Sequence, residues 1–182
     1  MLNVMLDLET MGTGSTAAVV AIGAVKFDPY GKIGETGDPD DREYTDFYMP
    51  VDLQSAIDLG SKVDGATVMW WLGQSDEARG RLKEGENIHR VLNEFTIWFG
   101  GKSLPTWGNG SAFDCVVLRN AYLATGVYPP WGFRDERCYR TLRVVLPEET
   151  YVPPVLAHDA LEDAKAQATH LQKLFSKLNL GS

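Results

Sequence analysis

Four carboxylates and one histidine stand in three short blocks of this chain: Asp7 and Glu9 in MLDLET, Asp114 in GNGSAFD, and His158 with Asp163 in HDALED. In an extended strand alternate side chains share a face, so Asp7 and Glu9 are expected to project together while Leu6 and Leu8 point the other way. Neighbouring carboxylates repel unless cations lie between them, and an all-oxygen donor set suits hard divalent ions. An imidazole, which titrates near neutrality, adds a proton acceptor. Together these are the groups that phosphodiester hydrolysis by a two-metal route requires.

Each block also has an ordinary structural explanation. Asp7 and Glu9 could be the polar face of a solvated edge strand. Ser111-Ala-Phe-Asp114 has the form of a capping box, with Ser111 as N-cap and Asp114 at N3, where an acid stabilises a helix start. A lone histidine before a helix is commonly a surface or capping residue. The last block is nonetheless the most specific. Asp159-Ala-Leu-Glu162 is again box-like, which makes Asp159 the N-cap, His158 the N′ residue and Asp163 the N4 residue. N′ and N4 are positions that touch, so this spacing is expected to put imidazole beside carboxylate.

Several elements must position these groups. Residues 2–8 and 17–27 are apolar and β-branched and read as central strands, and EYTDFYMP reads as a third strand ended by Pro50. The Gly-, Pro- and Asp-rich stretch from Asp28 to Asp41 reads as a long hairpin loop, and the acidic part from Glu35 to Asp41 suggests no function. Helices are expected over 52–60, 66–83, 86–99, 111–125, 137–146 and 159–178, with a short strand at SLPTW between them. Antiparallel strands followed by strand–helix alternation predict an α/β fold with a mixed sheet, three antiparallel strands then parallel ones, and helices on both faces. Leu161, Ala164, Ala168, Leu171, Phe175 and Leu178 form the expected core stripe of the last helix.

The chain has 182 residues, of which 44% are hydrophobic, enough for one well-buried core, and a single domain over 1–182 is expected. No apolar run is long enough to cross a bilayer and no signal peptide is recognisable, so the expected location is cytoplasmic, without membrane partners. Cys115 and Cys138 are expected to be reduced and inert. A net charge of −8 argues against a protein that grips long duplexes through a basic surface, but not against one that recruits cations to act on short or single-stranded ends.

Asp-x-Glu-Thr, then Asn-Gly-x-x-Phe-Asp, then His-x(4)-Asp, in that order, resembles the DEDDh branch of the DnaQ-like 3′-5′ exonucleases, over nearly the whole chain from Met5 to about Leu174. The ETMGT turn, IGAVKFD, Trp70-Trp71-x-x-Gln74-Ser75 and WGNG look like small stand-alone members of the ribonuclease AS and exonuclease VIII type. The resemblance implies a ribonuclease H-like fold and two magnesium or manganese ions held by Asp7, Glu9, Asp114 and Asp163. It also implies His158 as general base, release of nucleoside 5′-monophosphates from single-stranded RNA or DNA 3′ ends with RNA favoured, and a homodimer.

Residues expected to touch substrate are Thr10, Met11 and Gly12 after the first strand, with Trp70, Trp71 and Trp107 as stacking surfaces and Asn109 and Arg119 as weaker candidates. Aromatic residues inside helices more often pack in a core. His89 and His170 read as surface residues. Three other readings keep some of these features: an end-binding module without catalysis, a ribonuclease H-like endonuclease or nucleotidyl transferase, and a metal-dependent esterase acting on nucleotides.

Overall fold

The computed structural model describes residues 2–32 and 45–178, so most of the predicted 28–41 loop, including its acidic part, lies outside the described residues. The described strands are β1 (Asn3–Thr10), β2 (Val19–Phe27), β3 (Asp46–Pro50), β4 (Thr106–Gly108) and β5 (Glu136–Cys138). They form one sheet in the order β3-β2-β1-β4-β5. β1–β2 and β2–β3 are antiparallel, whereas β1–β4 and β4–β5 are parallel. This is the mixed sheet expected from the switch in sequence period.

Helices α1 (Leu53–Asp58), α2 (Gly65–Leu72), α3 (Asp76–Gly80), α4 (Ile88–Phe99), α5 (Asp114–Ala124), α6 (Tyr139–Val145) and α7 (Ala160–Leu178) surround it. Alternation along β1 divides the core. Val4, Leu6 and Leu8 join Val91, Leu92 and Phe95 of α4 and Val117 and Leu118 of α5 on one face. Met5 joins Trp107, Tyr139 and the α7 residues Ala164, Ala168, Leu171 and Leu174 on the other. Helices on both faces explain why β1 and β2 are apolar almost throughout. Asp7 and Glu9 share the face of Met5 and therefore lie under α7.

Gly23 sets how α7 approaches. It pairs with Asp7 across β1 and β2. A Cβ at Gly23 would lie 2.1 Å from the carbonyl carbon of Ala160, so only glycine lets the first turn of α7 rest on the sheet there. Asp159 caps that turn by accepting from the amides of Leu161 (3.1 Å) and Glu162 (3.2 Å), as the box-like spacing predicts.

Several expected boundaries are corrected. The single helix expected over 66–83 is two, because Gly73 ends α2 and Ser75 starts α3 by accepting from the Ala78 amide. The SLPTW strand begins only at Thr106, and β5 takes Arg137 and Cys138 from the start of the helix expected over 137–146, since three residues are too few to show an alternating pattern. Ser111 does not cap a helix. α5 starts at Asp114 without a side-chain cap, and the carbonyl of Gly110, a residue with φ of 112°, accepts from the amides of both Phe113 and Asp114. Of the predicted α7 stripe, Leu161, Phe175 and Leu178 are only half-buried, while Gln167, His170 and Gln172 are buried.

Among the described residues no helix is long and apolar enough to cross a membrane. Cys115 and Cys138 are both free thiols, buried and half-buried respectively.

Candidate active site

The acids meet where the C-terminal half of β1, the start of α5 and the start of α7 converge. Oxygens of Asp7, Glu9 and Asp163 all lie within 4.8 Å of one another. Asp114 closes the group from the β4 side. A Cβ at Gly108 would lie 2.9 Å from Asp114 Oδ2, so the absent side chain there is what lets this carboxylate reach in. Backbone groups of Leu8 and Asn109 near it favour its charged form. Asp114 lies beside the cluster and its charge raises Asp7, but its oxygens are not among those that meet within 4.8 Å, and its seat is the turn after β4 and not the predicted capping box.

Electrostatics show how uncomfortable this arrangement is without counter-charge. Burial, and then repulsion from Asp114 and Glu9, push the Asp7 carboxyl far above its usual range. Glu9, only 8% exposed, is pushed to about 8 by burial and by Asp163, Asp159 and Asp114. Burial lifts Asp114 to about 7 against the opposing pull of nearby backbone groups, and it also raises Asp163. Carboxyls that hold protons near neutrality because they lie buried beside like charges are a hallmark of functional clusters. The donor set, all carboxylate oxygens on closely spaced rigid elements, fits hard divalent cations.

His158 touches Asp163 through its backbone, and not through the imidazole expected there from the spacing. Its amide donates to Asp163 Oδ2 at 3.1 Å, and its φ of 63° places it in the left-handed region. Its half-buried imidazole lies with its centroid 4.8 Å from that of Trp70, edge to face at 80°, and 6.3 Å from that of Trp71. The loop is held from the next residue, because Arg81 pairs with the buried Asp159 while its guanidinium stacks 3.9 Å from the centroid of the Tyr48 ring.

Beside Glu9 runs a groove of about 480 Å³ lined by Thr10, Gly12, Thr13, Asp64, Thr67, Trp70 and Phe113 among others. Thr10 and Gly12 thus border it, with Thr10 Oγ1 donating to the Gly12 carbonyl at 2.7 Å. Met11, also expected to touch substrate, is half-buried with its side chain packed against the core and is not among the residues that line the groove. Of the three tryptophans only Trp70, 46% exposed, offers a surface. Trp71 is buried and donates to the Thr10 carbonyl, and Trp107 is buried and donates to Asn3 Oδ1. Asn109 lies beside Asp114, and its carbonyl accepts from Arg140. Arg119 is committed to Glu136 and lies away from the groove lining. His89 is exposed as expected, but His170 is 2% exposed and lies between the Tyr139 hydroxyl and the Glu149 carbonyl.

One polar residue of the cluster escaped the sequence reading. Gln167, one turn beyond Asp163 and 3% exposed, donates from Nε2 to Asp7 Oδ1 at 2.8 Å, and its Oε1 has no partner among the described residues. Its spacing of four from Asp163 was the available signal, because i and i+4 share a helix face.

The sequence profile of the family described as the 3′-5′ exoribonuclease Rv2179c-like domain matches residues 2–175. An exodeoxyribonuclease of Enterobacteria phage T4 is 27% identical over 126 residues, covering 65% of this chain and 54% of that protein, so the match spans about half of the relative's length. Among solved structures, the nuclease domain of 3′hExo, a DEDDh family member bound to rAMP, superposes with a TM-score of 0.63 at 13% identity, covering 97% of this chain and 92% of that one. E. coli exonuclease I in complex with a dA16 oligonucleotide gives 0.60 at 20% identity, covering 98% and 43%. Likeness at these identities speaks for a shared ribonuclease H-like fold. The profile, which runs through all three acidic blocks, goes further: this chain belongs to the family of 3′-5′ exonucleases described as Rv2179c-like.

Proposed function

We propose that the protein is a metal-dependent exonuclease that removes nucleoside 5′-monophosphates from the 3′ ends of single-stranded nucleic acid, with RNA favoured over DNA. The observation that carries the reading is the convergence of Asp7, Glu9 and Asp163 oxygens within 4.8 Å beside an open groove. Asp7, Glu9, Asp114 and Asp163 would hold two magnesium or manganese ions. Bound there, such ions neutralise a scissile phosphate and acidify an attacking water. The chain's own residues supply the rest. Thr10 and Gly12 border the groove that takes the terminal nucleotide, and Trp70 offers its ring to the base. His158 takes the proton of the attacking water as general base, its backbone tied to Asp163 and its ring set by Trp70. A site that grips the final nucleotide while presenting the next phosphodiester cuts from the end inward.

The family's description as exoribonuclease supports RNA, whereas the phage relative's name points to DNA. Digestion of matched end-labelled RNA and DNA strands, with magnesium and then with chelator, reads sugar preference, polarity, product and metal dependence on one gel. Stepwise shortening from the 3′ end only with metal is the expected result, and cleavage inside a circular strand would overturn the exonuclease reading. His158→Ala should lose turnover while keeping metal and oligomer binding, and unchanged turnover would remove His158 from its role. The reading also places the whole chain in one cytoplasmic domain acting as a homodimer, which sedimentation of the purified protein would check.

A further inference from the structure

The net charge of −8 conceals a local exception: four of the nine arginines fall in ten residues, at 134, 137, 140 and 143, a spacing of three along β5 and α6. The described arginines divide cleanly. Arg79, Arg81, Arg90 and Arg119 each pair with a carboxylate, whereas the four in this row have no carboxylate partner among the described residues. Their guanidinium groups are held in ways that leave the charge free. Arg140 donates to the Asn109 carbonyl at 2.6 Å, Arg137 to the carbonyls of Arg134 and Glu136, and Arg143 lies 5.1 Å from the centroid of the Tyr151 ring. All four are exposed, and β5 is one of the two edge strands of the sheet.

Arg140 stands at the rim of the carboxylate cluster, since it donates to the Asn109 carbonyl in the turn that leads to Asp114, and Arg143 lies three residues further along α6. The positive charge of Arg140 acts on Asp114. Arg143 lies over the ring of Tyr151. No α6 residue lines the groove beside Glu9, so these cations flank the acids on a separate side, where β4 meets α6. A strand whose terminal nucleotide fills that groove must leave past the acids, and an acidic protein needs a local source of positive charge along its path.

Resting on the exonuclease reading above, we infer that Arg140 and Arg143 bind the phosphates upstream of the scissile bond, with Arg137 on β5 and Arg134 just before that strand continuing the track, so that single-stranded nucleic acid lies across α6. Guanidinium groups meet phosphate oxygens in a fork and without regard to base, which suits trimming of any sequence. Each phosphate neutralised releases condensed counterions, which makes the contact visible as salt dependence.

The test is steady-state hydrolysis, with magnesium, of a dimer and an octamer of whichever sugar the enzyme digests, at graded potassium chloride. In the wild type the slope of log kcat/KM against log salt should be steeper for the octamer than for the dimer. In the double variant Arg140→Gln/Arg143→Gln the octamer slope should fall by about 1.4, close to 0.7 for each lost contact to a single strand, and approach the dimer's. Arg140→Lys/Arg143→Lys should restore the octamer slope, which separates charge from loop positioning. An octamer slope unchanged in the Gln variant, or equally lost in the Lys variant, overturns the track while leaving the exonuclease reading intact. A wild type that digests neither oligomer removes both.

Discussion

Replacing Glu9 by Gln removes one charge from a buried cluster while keeping shape, and this should make the cation-free protein more stable as it destroys cation binding. Glu9 is 8% exposed and its carboxyl is raised from an ordinary 4.5 to about 8, first by burial and then by Asp163, Asp159 and Asp114. An acid that binds its proton more tightly folded than unfolded adds full stability below its unfolded value, and loses it as pH climbs towards the folded value. Between pH 4.5 and 8 the wild type therefore declines, by about 3 kcal/mol at pH 7 from this group alone. Asp7 and Asp114, shifted the same way, steepen the decline. In a domain of this size 1 kcal/mol moves Tm by roughly 2–4 °C, so Glu9→Gln should unfold about 6–12 °C above the wild type at pH 7 in chelator. The gap should shrink to a few degrees at pH 5, and magnesium should close it by stabilising only the wild type. Thermal unfolding followed by circular dichroism at pH 5, 7 and 8, with chelator and with magnesium, reads all of this. A gap that is absent, or equal at pH 5 and pH 8, would refute the idea that the acids oppose one another until a cation joins them.

Other expectations follow from single contacts. Gly23→Ala pushes a methyl against the Ala160 backbone and should cost about 3 kcal/mol or more in urea unfolding, with loss of activity as α7 lifts from the sheet; a fully stable, active variant would show that α7 does not depend on this approach. Gln167→Leu removes the hydrogen bond to Asp7 and should weaken divalent-ion binding by roughly 10–100-fold in calorimetry without unfolding the protein, an expectation that equal affinity would end. Trp70→Ala removes the one exposed tryptophan of the groove and should raise KM for an oligomer by on the order of tenfold, in line with about 1–3 kcal/mol for a base on an aromatic ring; an unchanged KM would take Trp70 out of substrate contact.

What could be read along the chain was local in origin. Alternation in MLDLET put Asp7 and Glu9 on one face of a strand, and the spacing in HDALED brought His158 next to Asp163, because both follow from the geometry of a few consecutive residues; that the amide makes the contact while the ring turns to Trp70 was not legible there. The order of strands and helices likewise followed from a change in hydrophobic period. Tertiary structure decided what depends on partners remote in sequence. Gly23, an unremarkable strand residue, admits α7 only because Ala160 lands on it, and Gly108 admits Asp114 for the same reason. Gln167 faces Asp7 across 160 positions, and His170, read as a surface residue, is buried because the Tyr139 hydroxyl and the Glu149 carbonyl satisfy its ring nitrogens. Trp70 and Trp71 are adjacent and chemically identical, yet one borders the groove in the open and the other is buried. Helical rotation separates neighbouring residues by about 100°, and only the packing of α2 against the end of β1 determines which of them meets solvent.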